Sequence, residues 1–260
     1  MSRYDIASEP TAEHIKENYE EVLANIKEAS EGRPVQLVAV SKTKSPACLK
    51  ALYDLGHRVF GENYVQELCE KAPELPADME WRFIGHLQSN KVKELLSTVP
   101  NLSCIETVDS AKLSDKINDG CERYREGRPI QVLIQVNTSG EESKSGIEPA
   151  AVTELATHIH TKCDKLILQG LMTIGMPDYS SKPENFECLV KCREEVAKAL
   201  ALEPDTLQLS MGMSGDYVNA IKMGSTSVRV APPWLANGST LRKVSKAGRD
   251  CLQLGSMFLS

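Results

Sequence analysis

No run of this sequence is apolar for long enough to cross a bilayer as a helix. The first residues, MSRYDIASEPTAEHIKENYE, are polar and acidic where a secretory signal needs an apolar core. The expectation is a soluble, cytoplasmic protein without a membrane partner, a mitochondrial fraction staying open. A basic surplus is lacking too. With a net charge of -6 and a pI near 5.5 the chain carries no electrostatic footprint for nucleic acid, so none is expected as a partner. The eight cysteines show no CxxC spacing and read as small core hydrophobes. Cys188 and Cys192 stand four apart on a predicted helix, and His158 and His160 stand two apart, which on a helix points them to different faces. No metal site is expected.

What the sequence does have is alternation. Its 260 residues fit one α/β barrel. From residue 35 onward, short β-rich apolar runs alternate with stretches of helical period. The runs are VQLVAVS (35–41), RVFGE (58–62), EWRFIG (80–85), LSCIET (102–107), IQVLIQV (130–136), LILQGLMTIG (166–175), TLQLSMG (206–212) and TSVRVA (226–231). Between them, Ser45 and Pro46 open a helix that Gly56 closes. Asp109 is the expected cap of the helix bearing Leu113, Ile117 and Cys121, and Phe186, Leu189, Val190, Val196 and Leu200 mark another. A leading helix over 11–30 carries Ile15, Tyr19, Val22, Leu23 and Ile26 on one side and should pack on the outside or across the bottom of the barrel. Eight units without an obvious linker argue for a single-domain (β/α)8 TIM barrel over 35–230, preceded by the leading helix in 1–34 and followed by a tail over 231–260.

In such a barrel the loops after the strands build the site. Here they are polar: Ser41, Lys42 and Lys44; Glu62 and Asn63; His86, Gln88 and Asn90; NTSGEESKSG; SMGMSGD; and Arg229 on the eighth strand. A lysine desolvated at the inner end of a strand has its ammonium form disfavoured and becomes an amine able to form a Schiff base. Lys42 is placed for this, although a solvated loop lysine or a phosphate clamp fits the residue type as well. Alternation gives Lys42 and Lys44 the same facing if the strand continues. Gly212, Ser214 and the helix start near Gly215 and Asp216 suit a phosphate after strand seven, and also suit an ordinary turn.

Taken in order, AVSKTK, FGENYVQE, FIGHLQSNK, SKSG, GLMTIG, LSMGMSGDY and GSTSVRV resemble the pyridoxal phosphate homeostasis protein family. The resemblance implies a barrel similar to the N-terminal domain of alanine racemase, holding pyridoxal 5′-phosphate as a Schiff base on Lys42. Asn63 matches the cofactor-side asparagine, Met213 and Ser214 the phosphate-binding turn, and Arg229 the arginine facing the pyridine nitrogen. Lys44 matches a second lysine near the site, with no covalent role. A permanent cation beside the ring nitrogen makes the ring a weak electron sink. The implied function is therefore non-catalytic: a carrier or buffer of the cofactor, monomeric, with apo-enzymes that use pyridoxal phosphate as recipients. A racemase-like enzyme acting on an amino acid, and a cofactor-free Schiff-base aldolase, are the competing readings.

After Val230 the sequence leaves the family pattern and reads APPWLANGSTLRKVSKAGRDCLQLGSMFLS. Ala231, Pro232 and Pro233 replace a glycine and remove two backbone donors where the family cradles the phosphate. A weakened phosphate grip is expected. Gly238, Gly248 and Gly255 interrupt any helical face in the tail, so the eighth helix of the barrel is expected to be missing or disordered.

Overall fold

The structure is a computed structural model that describes residues 10–140, 145–174 and 183–231. Eight strands, β1 (Gln36–Val40), β2 (Val59–Glu62), β3 (Glu80–Phe83), β4 (Leu102–Val108), β5 (Ile130–Gln135), β6 (Leu166–Met172), β7 (Gln208–Met213) and β8 (Ser227–Val230), form a closed barrel in chain order. Every pairing is parallel, including β1 with β8. Each strand overlaps its expected run. The largest trimming is in β6, which stops at Met172 rather than at residue 175.

The helices are α1 (Ala12–Ser30), α2 (Pro46–Asp54), α3 (Val65–Lys71), α4 (Val92–Thr98), α5 (Ala111–Tyr124), α6 (Val152–Lys162), α7 (Pro183–Leu200) and α8 (Tyr217–Lys222). Ser45 caps α2 as expected, its hydroxyl accepting from the Cys48 N–H. For α5 the cap is Ser110, not Asp109: the Ser110 hydroxyl accepts from the Leu113 N–H, three residues on, a reach that Asp109 lacks by one position. Asp109 instead accepts from the Ser110 hydroxyl.

Helix α1 completes the outer ring between α8 and α2. Thr11 caps it, and Ile15, Tyr19, Val22 and Ile26 form its buried stripe. Leu23 does not join them and is 40 % exposed, because one residue past Val22 turns about 100° around the helix. Asn25 Nδ2 donates to the Tyr217 hydroxyl of α8 at 3.0 Å, and Arg33 donates to the Ile221 carbonyl at 2.5 Å. The expectation that the helix after β8 is missing or disordered falls on residues outside those described, as do Pro232 and Pro233.

Most apolar burial lies between the strands and the helices, where Phe60, Trp81, Phe83, Ile105 and Val132 face outward. Partnered residues of parallel strands share a face, so the register defines the lumen: Val38 with Arg229, Gly61 with Arg82, Arg82 with Cys104, Gln135 with Met172, and Met172 with Ser210. Cys104, Leu133 and Met172 make a separate apolar cluster inside.

His57 is buried under α1. Its Nε2 is 2.7 Å from the Val59 carbonyl oxygen and so carries the proton, while Nδ1 sits 3.3 Å from the Tyr19 hydroxyl. The rings of Tyr19 and Phe60 meet it edge-on. Burial lowers its pKa from 6.5 to about 4. The unfolded chain therefore takes up a proton below 6.5 that the folded chain refuses until about 4. The stabilisation is complete above pH 6.5 and is lost as pH falls to about 4, an amount on the order of 3 kcal/mol. Urea unfolding across that window should show the loss, and His57→Gln should flatten it.

Candidate functional site

The carboxyl ends of β7, β8, β1 and β2 are consecutive around the barrel, because β8 pairs with both β7 and β1. That closure gathers residues from both ends of the sequence. Lys42 follows β1 and has the parity of Val38 and Val40, but the strand has already ended at Val40 and the lysine lies in an exposed turn. Of the readings open for Lys42, the solvated loop position is the one seen, and the desolvated strand end is not. The condition for a shared facing with Lys44 is not met: Thr43 between them takes φ 64°, which breaks the alternation, and the Lys44 N–H folds back onto the Ser41 carbonyl at 3.1 Å.

Asn63 follows β2. Among the described residues its buried Oδ1 has no hydrogen-bond partner. Gly85, at the end of β3, passes so close that a Cβ there would lie 1.9 Å from the Asn63 carbonyl oxygen, so only glycine lets the two loops meet. Across the mouth, the Met213 N–H donates to Asp216 Oδ1 at 2.6 Å and the Asp216 N–H returns to the Met213 carbonyl at 3.0 Å. Gly212 makes this turn possible with φ 96°, and a Cβ there would lie 2.6 Å from the Ala220 side chain and 2.9 Å from the Tyr217 α-carbon. Ser214 is exposed, and its hydroxyl donates to the Ala231 carbonyl at 2.8 Å, tying loop seven to the end of β8. Ala231 thus stands beside the turn whose grip it was expected to weaken.

Arg229 is buried in the lumen. Its guanidinium donates to Ser210 Oγ and to the Thr173 carbonyl, both at 2.7 Å. Ser210 in turn donates to Glu106 Oε2 at 2.6 Å, and Glu106 Oε1 accepts from Arg82 at 2.8 Å. Burial lowers the basicity of Arg229 from its ordinary value, opposed by Glu106 and Asp216, and an arginine in such a setting stays charged. Glu106 serves Arg82 directly and Arg229 through Ser210, so the lumen holds a fixed positive charge kept in place by side chains on four strands and by the Thr173 carbonyl at the end of a fifth.

Sequence reasoning missed Arg82, Glu106 and Ser210. The signal was present: a charge at alternate positions inside otherwise apolar β runs, WRF and CIET, marks a lumen position. It also missed Lys71 and Glu67 of α3, both buried against β1, β2 and the turn after β1. His86 stays exposed at the rim, 3.8 Å from Asp109. Among the described residues Asp115, His158 and Cys163 bring donor atoms within 4.8 Å of one another on the outer flank. There His158 Nε2 lies 2.6 Å and the Cys163 thiol 3.7 Å from the same Asp115 oxygen, and these two hydrogen bonds account for the grouping.

The family described as the alanine racemase N-terminal domain matches residues 12–230, ending where the sequence departs from its expected pattern. The pyridoxal phosphate homeostasis protein of Homo sapiens is 47% identical over 203 residues, 75% of this chain and 74% of that one. Its counterpart in Caenorhabditis elegans is 43% identical over 221 residues, 82% of this chain and 90% of that one. Among solved structures, PipY of Synechococcus elongatus with pyridoxal phosphate bound superposes with a TM-score of 0.63 at 29% identity, covering 82% of this chain and 99% of that one. Alanine racemase of Corynebacterium glutamicum, at 13% identity and a TM-score of 0.63, shares the fold over 86% of this chain and 60% of its own length.

Proposed function

This chain belongs to the pyridoxal phosphate homeostasis protein family, built on the alanine racemase N-terminal domain, and from that premise we propose that it binds pyridoxal 5′-phosphate without turning over a substrate, as a carrier or buffer of the cofactor. The observation that carries the reading is the buried Arg229 network facing a mouth where Lys42 stands exposed.

The residues present fit the group. The orphaned Asn63 Oδ1 offers a sealed acceptor on the inner wall, the lumen cation suits an electron-rich ring nitrogen, and the Met213–Ser214 turn closes the mouth opposite. When bound, the cofactor supplies an aldehyde that a primary amine can condense with. Lys42 is the amine we assign, Asn63 orients the ring, Met213 and Ser214 hold the phosphate, and Arg229 fixes the ring nitrogen. Arg229 accounts for the absence of turnover in this reading. It cannot hand a proton to the nitrogen, since its guanidinium keeps its own, with two of its five N–H groups anchored on Ser210 and Thr173 and others left to donate, so the ring is a poor sink for a carbanion. Met213 acts by fixing the turn, its N–H on Asp216, while the Ser214 hydroxyl is free to turn from Ala231 toward an anion. With recipient apo-enzymes as partners, the exposed Lys42 is the group from which cofactor would be passed on.

The test is to incubate the full chain with pyridoxal phosphate, trap with borohydride, map the modified lysine, and follow α-proton exchange of amino acids with solvent. One adduct, on Lys42, and no exchange are expected. No uptake defeats the reading, and exchange replaces it with the racemase-like one.

A further inference from the structure

Lys71 closes α3 with a side chain that is 1% exposed. A seven-residue helix has no intrinsic need of a buried ammonium at its end, and burying one costs several kcal/mol unless its hydrogens are met. Here they are met by the Ser41 carbonyl at 2.8 Å, Glu62 Oε1 at 2.8 Å and Glu67 Oε1 at 2.6 Å. The acceptors are not arbitrary. Ser41 and Glu62 immediately precede Lys42 and Asn63, the two residues assigned to the cofactor on β1 and β2.

Glu67 does a second thing. The same Oε1 accepts the Thr43 N–H at 2.5 Å, and Thr43 is the non-glycine residue held at φ 64°. Ser41 is gripped twice, through its carbonyl by Lys71 and through its hydroxyl, which donates to Glu62 Oε1 at 2.7 Å. Lys42 is thus clamped on both sides while its own side chain is left exposed. A left-handed conformation at a β-branched residue persists only where its surroundings impose it. The turn is therefore imposed by α3, and residue 42 takes its place from it.

We propose that Glu67 and Lys71 are positioning residues for Lys42, a clamp between α3 and the first strand end that presents the amine in one orientation to the aldehyde of pyridoxal phosphate. The inference rests on the reading given under Proposed function. It separates two quantities that a general loosening of the fold would move together: condensation, which needs the amine in place, and binding of the ring and phosphate, which does not.

The experiment compares parent, Glu67→Ala and Glu67→Gln in the full chain, using pyridoxal phosphate and pyridoxine 5′-phosphate, which lacks the aldehyde. In Glu67→Ala, adduct formation on Lys42 should slow by about tenfold or more, the scale on which small misplacements of a reacting group act. Affinity for pyridoxine 5′-phosphate should stay within about twofold of the parent, since the ring and phosphate contacts are untouched. Glu67→Gln keeps an oxygen for the Thr43 N–H and Lys71 and should restore the rate. Thr43→Pro, which removes the N–H that Glu67 accepts and forbids the left-handed φ without touching the ion cluster, should show the same selective slowing and stands in if Glu67→Ala fails to fold. Equal weakening toward both ligands, or no slowing, overturns the proposal. Should the parent itself form no adduct, the reading of the site fails on its own account. Amide exchange at Thr43, slow in parent and Glu67→Gln and fast in Glu67→Ala, then still decides whether the clamp holds the turn.

Discussion

Lys42→Ala should lose all borohydride-trapped cofactor and retain pyridoxal phosphate at least about 100-fold more weakly than the parent chain, on the order of 3 kcal/mol. The argument is chemical. The other assigned residues contribute hydrogen bonds and charge, which hold a ligand reversibly, and only a primary amine can make the covalent bond. Lys42→Arg should fail equally, because a guanidinium keeps its charge and its proton at any pH the protein tolerates. The measurement is equilibrium dialysis beside mass-spectrometric mapping after reduction. Lys44 is the natural substitute, two residues away, yet the reversal of the chain at Thr43 and the bond from the Lys44 N–H to Ser41 send it elsewhere. An adduct that survives in Lys42→Ala by moving to Lys44 would refute the assignment.

Glu106→Leu should be the most destabilising single change in the lumen. It removes the carboxylate that Arg82 donates to directly and that Arg229 reaches through Ser210, leaving two buried guanidiniums with no counter-charge between them. Losing one partner of a buried ionic group costs about 3–5 kcal/mol, a large share of the total stability of a typical domain. Urea denaturation should therefore show a midpoint well below that of the parent with an unchanged slope. Arg82→Met combined with Glu106→Leu should recover part of the loss, since one of the stranded cations goes with it. Additive effects in that double variant would mean that Arg82 and Glu106 act independently, contrary to their 2.8 Å contact.

The barrel itself was legible because its signals are local. A parallel strand buried on both faces reads as a short apolar run, and a helix packed on one side reads as a stripe, so eight alternations count eight units. Caps were legible to within a residue: Ser45 was placed correctly, while the helix expected to begin at Asp109 is capped by Ser110, the residue whose hydroxyl has the right reach. Leu23 was misplaced for the same reason, since one position on a helix is a large rotation.

Resemblance in the residues after the strands singled out Lys42, Asn63, Met213, Ser214 and Arg229 as candidates, and the barrel puts them on four neighbouring strand ends. Their supports were not legible in the same way. Arg82, Glu106 and Ser210 are far apart in sequence and meet only across the lumen, through a register that no local pattern encodes.

The sequence by itself determined that the chain makes an eight-stranded barrel, that polar residues cluster after its strands, and that VQLVAVSKTK ends in an amine at the mouth, because periodicity and residue chemistry act over a few neighbours. Tertiary structure alone decided how Lys42, the amine that resemblance singles out, is held. Only closure of β8 onto β1 brings Arg229 beside the first strand, and only the packing of α3 brings Lys71 and Glu67 to either side of Lys42, since long-range contacts, not local propensity, set where a turn points.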